Sequence, residues 1–270
     1  MIQKSAKLLE DKRASARDDA WLTKMGGSSL KKAADDRWGR ILLMGVPKGG
    51  KTVACALTAP PPVLILNCDR PGAAAGALEL AAEYGRDPEK DVFVVDVRSA
   101  ADWTNKAARA CYAASEGKVR TVVVDTITFL VDMLVREIVN NWEGNDKRQA
   151  WGEVGAVAGA GFEKLFDLDA HLIVNAHAAP DDSGLPGVLP AVQGQMKRWV
   201  PGTLHDWICL DVSLEKVEGE NGKKRTERNE VRSFLIGPQK YWLHGARHAK
   251  RTEAIDADVT LLLERLGVKP

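Results

Sequence analysis

The stretch RILLMGVPKGGKTVACAL, residues 40 to 57, limits this chain more than any other part of it. Apolar residues run straight into a glycine-bounded loop, and the loop ends in Lys-Thr. Gly45, Val46, Pro47, Lys48, Gly49, Gly50, Lys51 and Thr52 fit G-x-x-x-x-G-K-[ST] at every position. Glycines let a backbone curl until its N–H groups face inward on phosphate oxygens, and a helix starting there points its positive end the same way. In such a cradle Lys51 reaches the β- and γ-phosphates, Thr52 offers its hydroxyl to Mg²⁺, and Val53 continues the phosphate-binding run into the helix. The expected ligands are ATP and Mg²⁺. The bland alternative, a glycine-rich turn, is weakened by context, because a strand pattern precedes the loop and a helix pattern follows it.

From residue 40 onward strands and helices alternate. ILLMG, PPPVLILNCD, DVFVVDV, RTVVVDT and AHLIVNAH read as strands. Helical patterns cover Lys51 to Thr58, AAAGALELAAEYG up to Gly85, Ala100 to Ser115, about 127 to 141, and 149 to 167. The strands are continuous apolar runs rather than alternating ones, as in sheets covered on both faces. Repeated β-α units predict a mostly parallel, doubly wound α/β sheet. After residue 178 comes AAPDDSGLPGVLPAVQGQ, too rich in Pro, Gly and Asp for an ordinary connection. DWICLDVSLEKV and NEVRSFLIG then flank Asn221-Gly222, a hairpin signal, so the sheet is expected to end in antiparallel strands. A last helix is expected near Asp256 to Leu266.

Composition excludes whole classes. The chain has 270 residues, 45% of them apolar, and a formal net charge of +1. A wholly basic nucleic-acid binder is ruled out, and any DNA contact has to come from local patches. Cys55, Cys68, Cys111 and Cys209 are scattered in apolar contexts without a CxxC pair, which fits core packing in a reducing compartment better than zinc or disulfides. No apolar targeting segment or membrane span is visible, so a cytoplasmic protein is expected. Residues 1–36 are charged and interrupted by GGSS; they form a leader or a docking arm for a neighbouring subunit, and 37–270 form the nucleotide-binding domain.

The strand RTVVVD ends in Asp125, as a Walker B element requires, and that carboxylate would hold Mg²⁺ directly or through water. The next residue is Thr126, where many ring ATPases place a glutamate. The carboxylate that polarises the attacking water must come from elsewhere. Asp69, at the end of VLILNCD and directly after the phosphate-loop helix, is favoured by chain order; Asp96, at the end of VFVVD, is the competitor.

With these motifs in place the chain resembles the RecA-like P-loop ATPases, and among them the phage-encoded single-strand annealing and recombination ATPases, also labelled phage nucleotide-binding or AAA ATPases. The resemblance spans about 40 to 260. It is carried by GVPKGGKT, VLILNCD, TVVVDTITFL, LIVNAHAAP, PAVQGQMKRWVPGTLHDWICLD and GARHAKRTEAID. It implies a RecA-like P-loop fold and Mg²⁺-dependent ATP hydrolysis coupled to single-stranded DNA in a homo-oligomeric ring or filament, with a single-strand-binding protein as a further partner. It also implies a γ-phosphate sensor at Asn175 or His177, with His177 preferred. Gln193, Gln195, Lys197, Arg198 and Trp199 fall in the loop where the family contacts DNA, though a Trp beside two cations is as often packing. Arg247, Lys250 and Arg251 match the cations that reach an adjacent subunit's nucleotide; a solvated basic loop is the competing reading. "KKR" at 223 to 225 sits on the expected hairpin tip. Two departures stand out: Asp69 takes the place of a glutamate, and Lys48 is unusual inside the loop.

Two other classes stay open. One is a nucleotide-dependent switch acting on a replication or partition protein, although the partition subgroup would need Lys where Val46 stands. The other is a small-molecule kinase, which would want an Arg-rich lid that the basic residues here do not form.

Overall fold

The computed structural model describes residues 24–25, 37–180, 188–217, 227–236 and 253–269. The expected arm at 1–36 (Lys24 and Met25 apart), Asn221-Gly222 with the basic run at 223–225, and the cluster Arg247, Lys250 and Arg251 lie outside the described residues. Between Arg37 and Trp38 the chain divides into two units, and the architecture below is that of the second.

One nine-stranded sheet runs through it. In chain order its strands are β1 (Arg40–Gly45), β2 (Val63–Asn67), β3 (Val92–Asp96), β4 (Thr121–Asp125), β5 (His171–Pro180), β6 (Val188–Pro190), β7 (Asp206–Val217), β8 (Glu227–Ile236) and β9 (Glu253–Asp256). The spatial order is β3-β2-β4-β5-β1-β7-β8-β9, with β6 paired to β5. Pairing is parallel from β3 to β7 and antiparallel from β7 to β9. The chain therefore has the mostly parallel sheet of a P-loop NTPase, and its expected antiparallel finish is present with β9 as an added strand.

The helices are α1 (Lys51–Thr58), α2 (Ala75–Leu80), α3 (Ala100–Ser115), α4 (Ile127–Leu134), α5 (Lys147–Phe166), α6 (Met196–Thr203) and α7 (Val259–Leu266). Because side chains alternate along a strand, the apolar runs feed two cores. Leu42, Met44, Val122, Val124, Leu172 and Val174 join a cluster with α3, α4 and α5. Ile41, Leu43, Val123 and Ile173 join the other with α1 and α7. This is why the central strands lack a polar face.

Local chemistry sets the helix ends. Ser99, Asp146 and Asp258 cap α3, α5 and α7 through their side-chain oxygens. The helix expected over 127 to 141 is regular only to Leu134, and a π-helical turn follows at Val135–Val139. The helix expected up to Gly85 is regular only over Ala75–Leu80, and Gly85 takes a left-handed φ of 64° in the turns beyond. The last helix starts at Val259 because Asp258, not Asp256, is its cap. Strand β2 stops at Asn67, so Asp69 lies past the strand rather than at its end. There Asn67 Oδ1 accepts the Asp69 N–H at 3.1 Å and turns the chain away.

Arg40 ties the first strand to the end of α5. Its buried guanidinium donates to the carbonyls of Phe166, Leu168 and Ala170 at 3.0, 2.5 and 2.7 Å. The first is a carbonyl that the helix terminus leaves without an intrahelical partner, and the other two belong to the connection that leads into β5. Burial lowers the Arg40 pKa to about 10, against the pull of Asp167 and Asp169. All four cysteines are free thiols, and burial pushes Cys55, Cys68 and Cys209 up. No described helix is long and apolar enough to cross a membrane.

Candidate functional site

Strand β1 ends at Gly45 and α1 begins at Lys51, so residues 46–50 must turn within one short loop. Gly49 N–H closes on the Val46 carbonyl at 3.2 Å. Gly50 takes φ 98°, which a side chain would resist, and Lys48 takes φ 62° despite having one. Gly45 is needed for space: a Cβ there would lie 3.0 Å from the Leu210 carbonyl of β7.

Lys51 is only 5% exposed, and the loop curls round it. Its ammonium donates to the carbonyls of Gly45 and Val46 at 3.0 and 2.8 Å. Burial lowers its pKa to about 8, with Asp125 opposing the shift. Next to it the Thr52 hydroxyl donates to Asp125 Oδ2 at 2.7 Å.

Strand β5 lies between β1 and β4, and its register sets Asn175 beside Asp125 and His177 beside Gly45. Asn175 is fully buried and donates from Nδ2 to Asp125 Oδ1 at 2.9 Å. Its own oxygen receives the Cys55 thiol at 3.5 Å. Both carboxylate oxygens of Asp125 are thus engaged, one from the phosphate-loop helix and one from β5. His177 sits further along the strand and is half-buried. Its N–H donates to Thr128 Oγ1 at 3.1 Å, and its ring meets Phe129 edge-on at 5.2 Å. Burial, then the Lys51 charge, lowers the His177 pKa, while Asp69, Asp125 and Asp132 oppose the shift. In this group Asn175 is the buried brace and His177 the half-exposed tip.

The two candidate bases differ in their surroundings. Asp69 is half-buried, and its Oδ1 accepts the Arg70 N–H at 2.6 Å. Asp96 is exposed on the edge strand, where it accepts from Asn67 Nδ2 at 2.7 Å and pairs with Arg98 at 2.6 Å. Arg98 also donates to the backbone carbonyls of Asn67 and Asp69, which pins the Asp69 turn.

The expected DNA-contact residues follow β6. Gln193, Gln195 and Arg198 are exposed and Lys197 half-buried, on and just before α6. The Trp199 ring turns inward and lies 6.0 Å from the rings of Phe162 and Phe166, so packing accounts for it.

Sequence reasoning missed Arg232 of β8. Its Nε donates to the Gly49 carbonyl at 3.2 Å, across 183 residues of sequence. No local signal could have marked it. It also walls a cavity of about 540 Å³ together with Lys48, Gly50, Val53, Tyr84 and Asp258. Reasoning likewise missed Asp132, which shares a second cavity of about 490 Å³ with Asp69, Arg70, Arg98, Phe129 and Gln193.

These residues fit a magnesium nucleotide. The loop has glycine where a Cβ would intrude, a buried ammonium faces its centre, and a hydroxyl and a carboxylate stand together as hard oxygen donors. Mg²⁺ keeps waters and phosphate oxygens as its other ligands, so such a sparse set suits it. Among the described residues no group of three or more His, Cys, Asp and Glu is placed to hold a metal without a phosphate.

A family model described as an AAA domain matches residues 39–232, well over half of the chain. No curated protein matches it.

Proposed function

Because the chain belongs to the AAA domain family and is a nucleotide-hydrolysing ATPase, we propose that it is a RecA-like, Mg²⁺-dependent ATPase whose turnover is coupled to single-stranded DNA. The biological role is annealing or recombination, in a phage-encoded protein acting as a homo-oligomeric ring or filament in a host cytoplasm. The observation that carries this is the bonded series Thr52–Asp125–Asn175 with His177 beyond it. It joins the phosphate loop to the strand that leads into the segment bearing Gln193 and Arg198.

This reading gives each residue a role. Gly45 to Gly50 cradle the phosphates and Lys51 holds them. Thr52 and Asp125 hold Mg²⁺, which supplies neutralisation of phosphate charge. Asp69 orients the attacking water; its closeness to His177 supports it over Asp96, whose carboxylate is held by Asn67 and Arg98. His177, kept neutral by burial and Lys51, can donate or accept one hydrogen bond at the γ-phosphate. The cavity beside Tyr84 and Arg232 accommodates the nucleoside. Gln193, Gln195, Lys197 and Arg198 contact the strand's phosphates, and Arg247, Lys250 and Arg251 serve an adjacent subunit's site. A single-strand-binding protein is the expected helper.

The test is ATP turnover with and without single-stranded DNA, using Lys51→Ala as the blank. DNA stimulation of several-fold is expected, and His177→Ala should abolish the stimulation. Turnover that ignores DNA would overturn the reading in favour of a switch directed at a replication or partition protein.

A further inference from the structure

The second cavity, of about 490 Å³, is lined by Asp69 but by no described residue of the phosphate loop, and the roles above leave it without an occupant. Its walls come from the turn after β2 (Cys68 to Pro71), the turn after β3 (Val97 and Arg98), and α4 with its π-helical extension. Gln193 closes it from the segment before α6.

The chemistry of this lining is mixed in a specific way. Arg70 is exposed, and its guanidinium has no protein partner among the described residues. Arg136 is exposed and among the described residues donates only from Nε, to the Asp132 carbonyl one turn back, at 3.2 Å. Arg98 is neutralised by Asp96, so Arg70 and Arg136 are the cations the cavity offers a ligand. Asp69 and Asp132 line it too, both close enough to His177 to affect its titration. Phe129, Met133, Val97 and Val135 give the same lining an apolar part. Phe129 is the residue whose ring meets His177 edge-on.

Guanidinium groups and an aromatic ring in one lining suit a ligand with a phosphate and a flat apolar face. A volume of this size takes one unstacked nucleotide unit and cannot take a duplex. We propose that this cavity binds a nucleotide unit of the single strand, with its phosphates on Arg70 and Arg136 and its base against Phe129. The site is separate from the run Gln193 to Trp199 except at Gln193, and it would place the strand against the residue that touches His177. The inference rests on the single-strand reading above.

The experiment is fluorescence anisotropy of a labelled oligothymidine, titrated at several salt concentrations with ATP and Mg²⁺ present. Arg70→Ala/Arg136→Ala should weaken binding tenfold or more. It should also lower the slope of log affinity against log salt by about 0.7 for each lost phosphate contact. Arg109→Ala, an exposed charge deletion on α3, controls for net charge and should leave both readouts in place. Phe129→Leu should weaken binding roughly fivefold or more with the slope unchanged, as loss of stacking does. Wild-type binding that the double variant matches in affinity and slope would overturn the cavity assignment and leave the single-strand reading intact. Displacement of the oligomer by thymidine monophosphate at matched nucleotide concentration would mean a free-nucleotide site and overturn the strand assignment. Wild-type protein that binds no oligomer would overturn both.

Discussion

The Thr52 hydroxyl lies 2.7 Å from Asp125 Oδ2, joining the phosphate-loop helix to the end of β4. Asn175 holds the other oxygen at 2.9 Å, so the carboxylate is fixed before any metal arrives. Such pre-orientation matters because an ion clamp acts only within a narrow geometry. Asp125→Asn keeps the size but loses the charge, and its amide nitrogen would face either the Thr52 hydroxyl or the Asn175 amide. Turnover with ATP and Mg²⁺ should fall at least about 100-fold, the scale of one lost transition-state contact. Binding of a fluorescent ATP analogue should fall far less. A variant retaining a tenth or more of wild-type turnover would remove Asp125 from the metal site.

Lys51 sets function against stability. An ammonium held 5% exposed, with its pKa lowered to about 8, costs the ligand-free fold free energy at neutral pH. Lys51→Met keeps the apolar stem and removes the charge. The ligand-free melting temperature should rise, because the variant removes a charge that the fold desolvates. The stabilisation given by ATP and Mg²⁺, about 2.7 kcal/mol at 100 times Kd for a wild-type site, should vanish. Thermal melts with and without nucleotide read both effects, and a ligand-free melt lower than wild type would refute the first.

The phosphate loop was legible because its whole geometry is local: glycines, a lysine and a threonine at fixed spacing need no distant partner. Asp125 was legible from an apolar strand with one terminal carboxylate. The central strands were legible because both faces are buried, which leaves unbroken apolar runs. The strand order was not, since nothing within RTVVVD or AHLIVNAH says that β5 separates β4 from β1. The brace by Asn175 depends on that order, and so does the approach of His177 to Gly45. Arg232 depends on a β8 that begins far down the chain. In the sequence Arg40 is only a charge before an apolar run, and the docking of α5 reveals its carbonyl partners. Trp199 sat beside two cations in sequence, yet α6 turns the ring onto Phe162 and Phe166.

His171 predicts an acid sensitivity unconnected with catalysis. It is 0% exposed, accepts the Gly39 N–H on Nδ1 at 3.0 Å, and meets Trp38 edge-on at 5.0 Å. Burial, then the charges of Arg120 and Arg40, lower its pKa to about 3 from 6.5. Below pH 6.5 the unfolded chain takes up a proton that the folded chain refuses. Stability from this group is therefore intact above pH 6.5 and falls as pH falls, by about 1.4 kcal/mol per pH unit until near pH 3. The depressed His177 acts in the same direction. Urea midpoints at pH 7.5 and pH 5 should show the loss, and His171→Gln should flatten it. A wild-type midpoint that does not move would contradict the assignment.

Gly161 predicts a steric failure where helix propensity alone predicts improvement. Helices α3 and α5 approach there so closely that a Cβ on Gly161 would lie 2.2 Å from Trp103 Nε1 and 2.3 Å from Cε2. The indole cannot step aside: Trp103 is 0% exposed, its N–H donates to the Ala158 carbonyl at 3.2 Å, and Phe162 packs 5.0 Å from it. Gly→Ala inside a helix ordinarily gains about 1 kcal/mol. Forcing a methyl into a filled core costs about 1–3 kcal/mol, and more where rigid atoms meet. Gly161→Ala should therefore lower the melting temperature by several degrees. Trp103→Phe opens the space the methyl needs, so Trp103→Phe/Gly161→Ala should be more stable than the sum of the single changes by at least about 1 kcal/mol. Additive melts would show that the clash with the indole is not what limits this position.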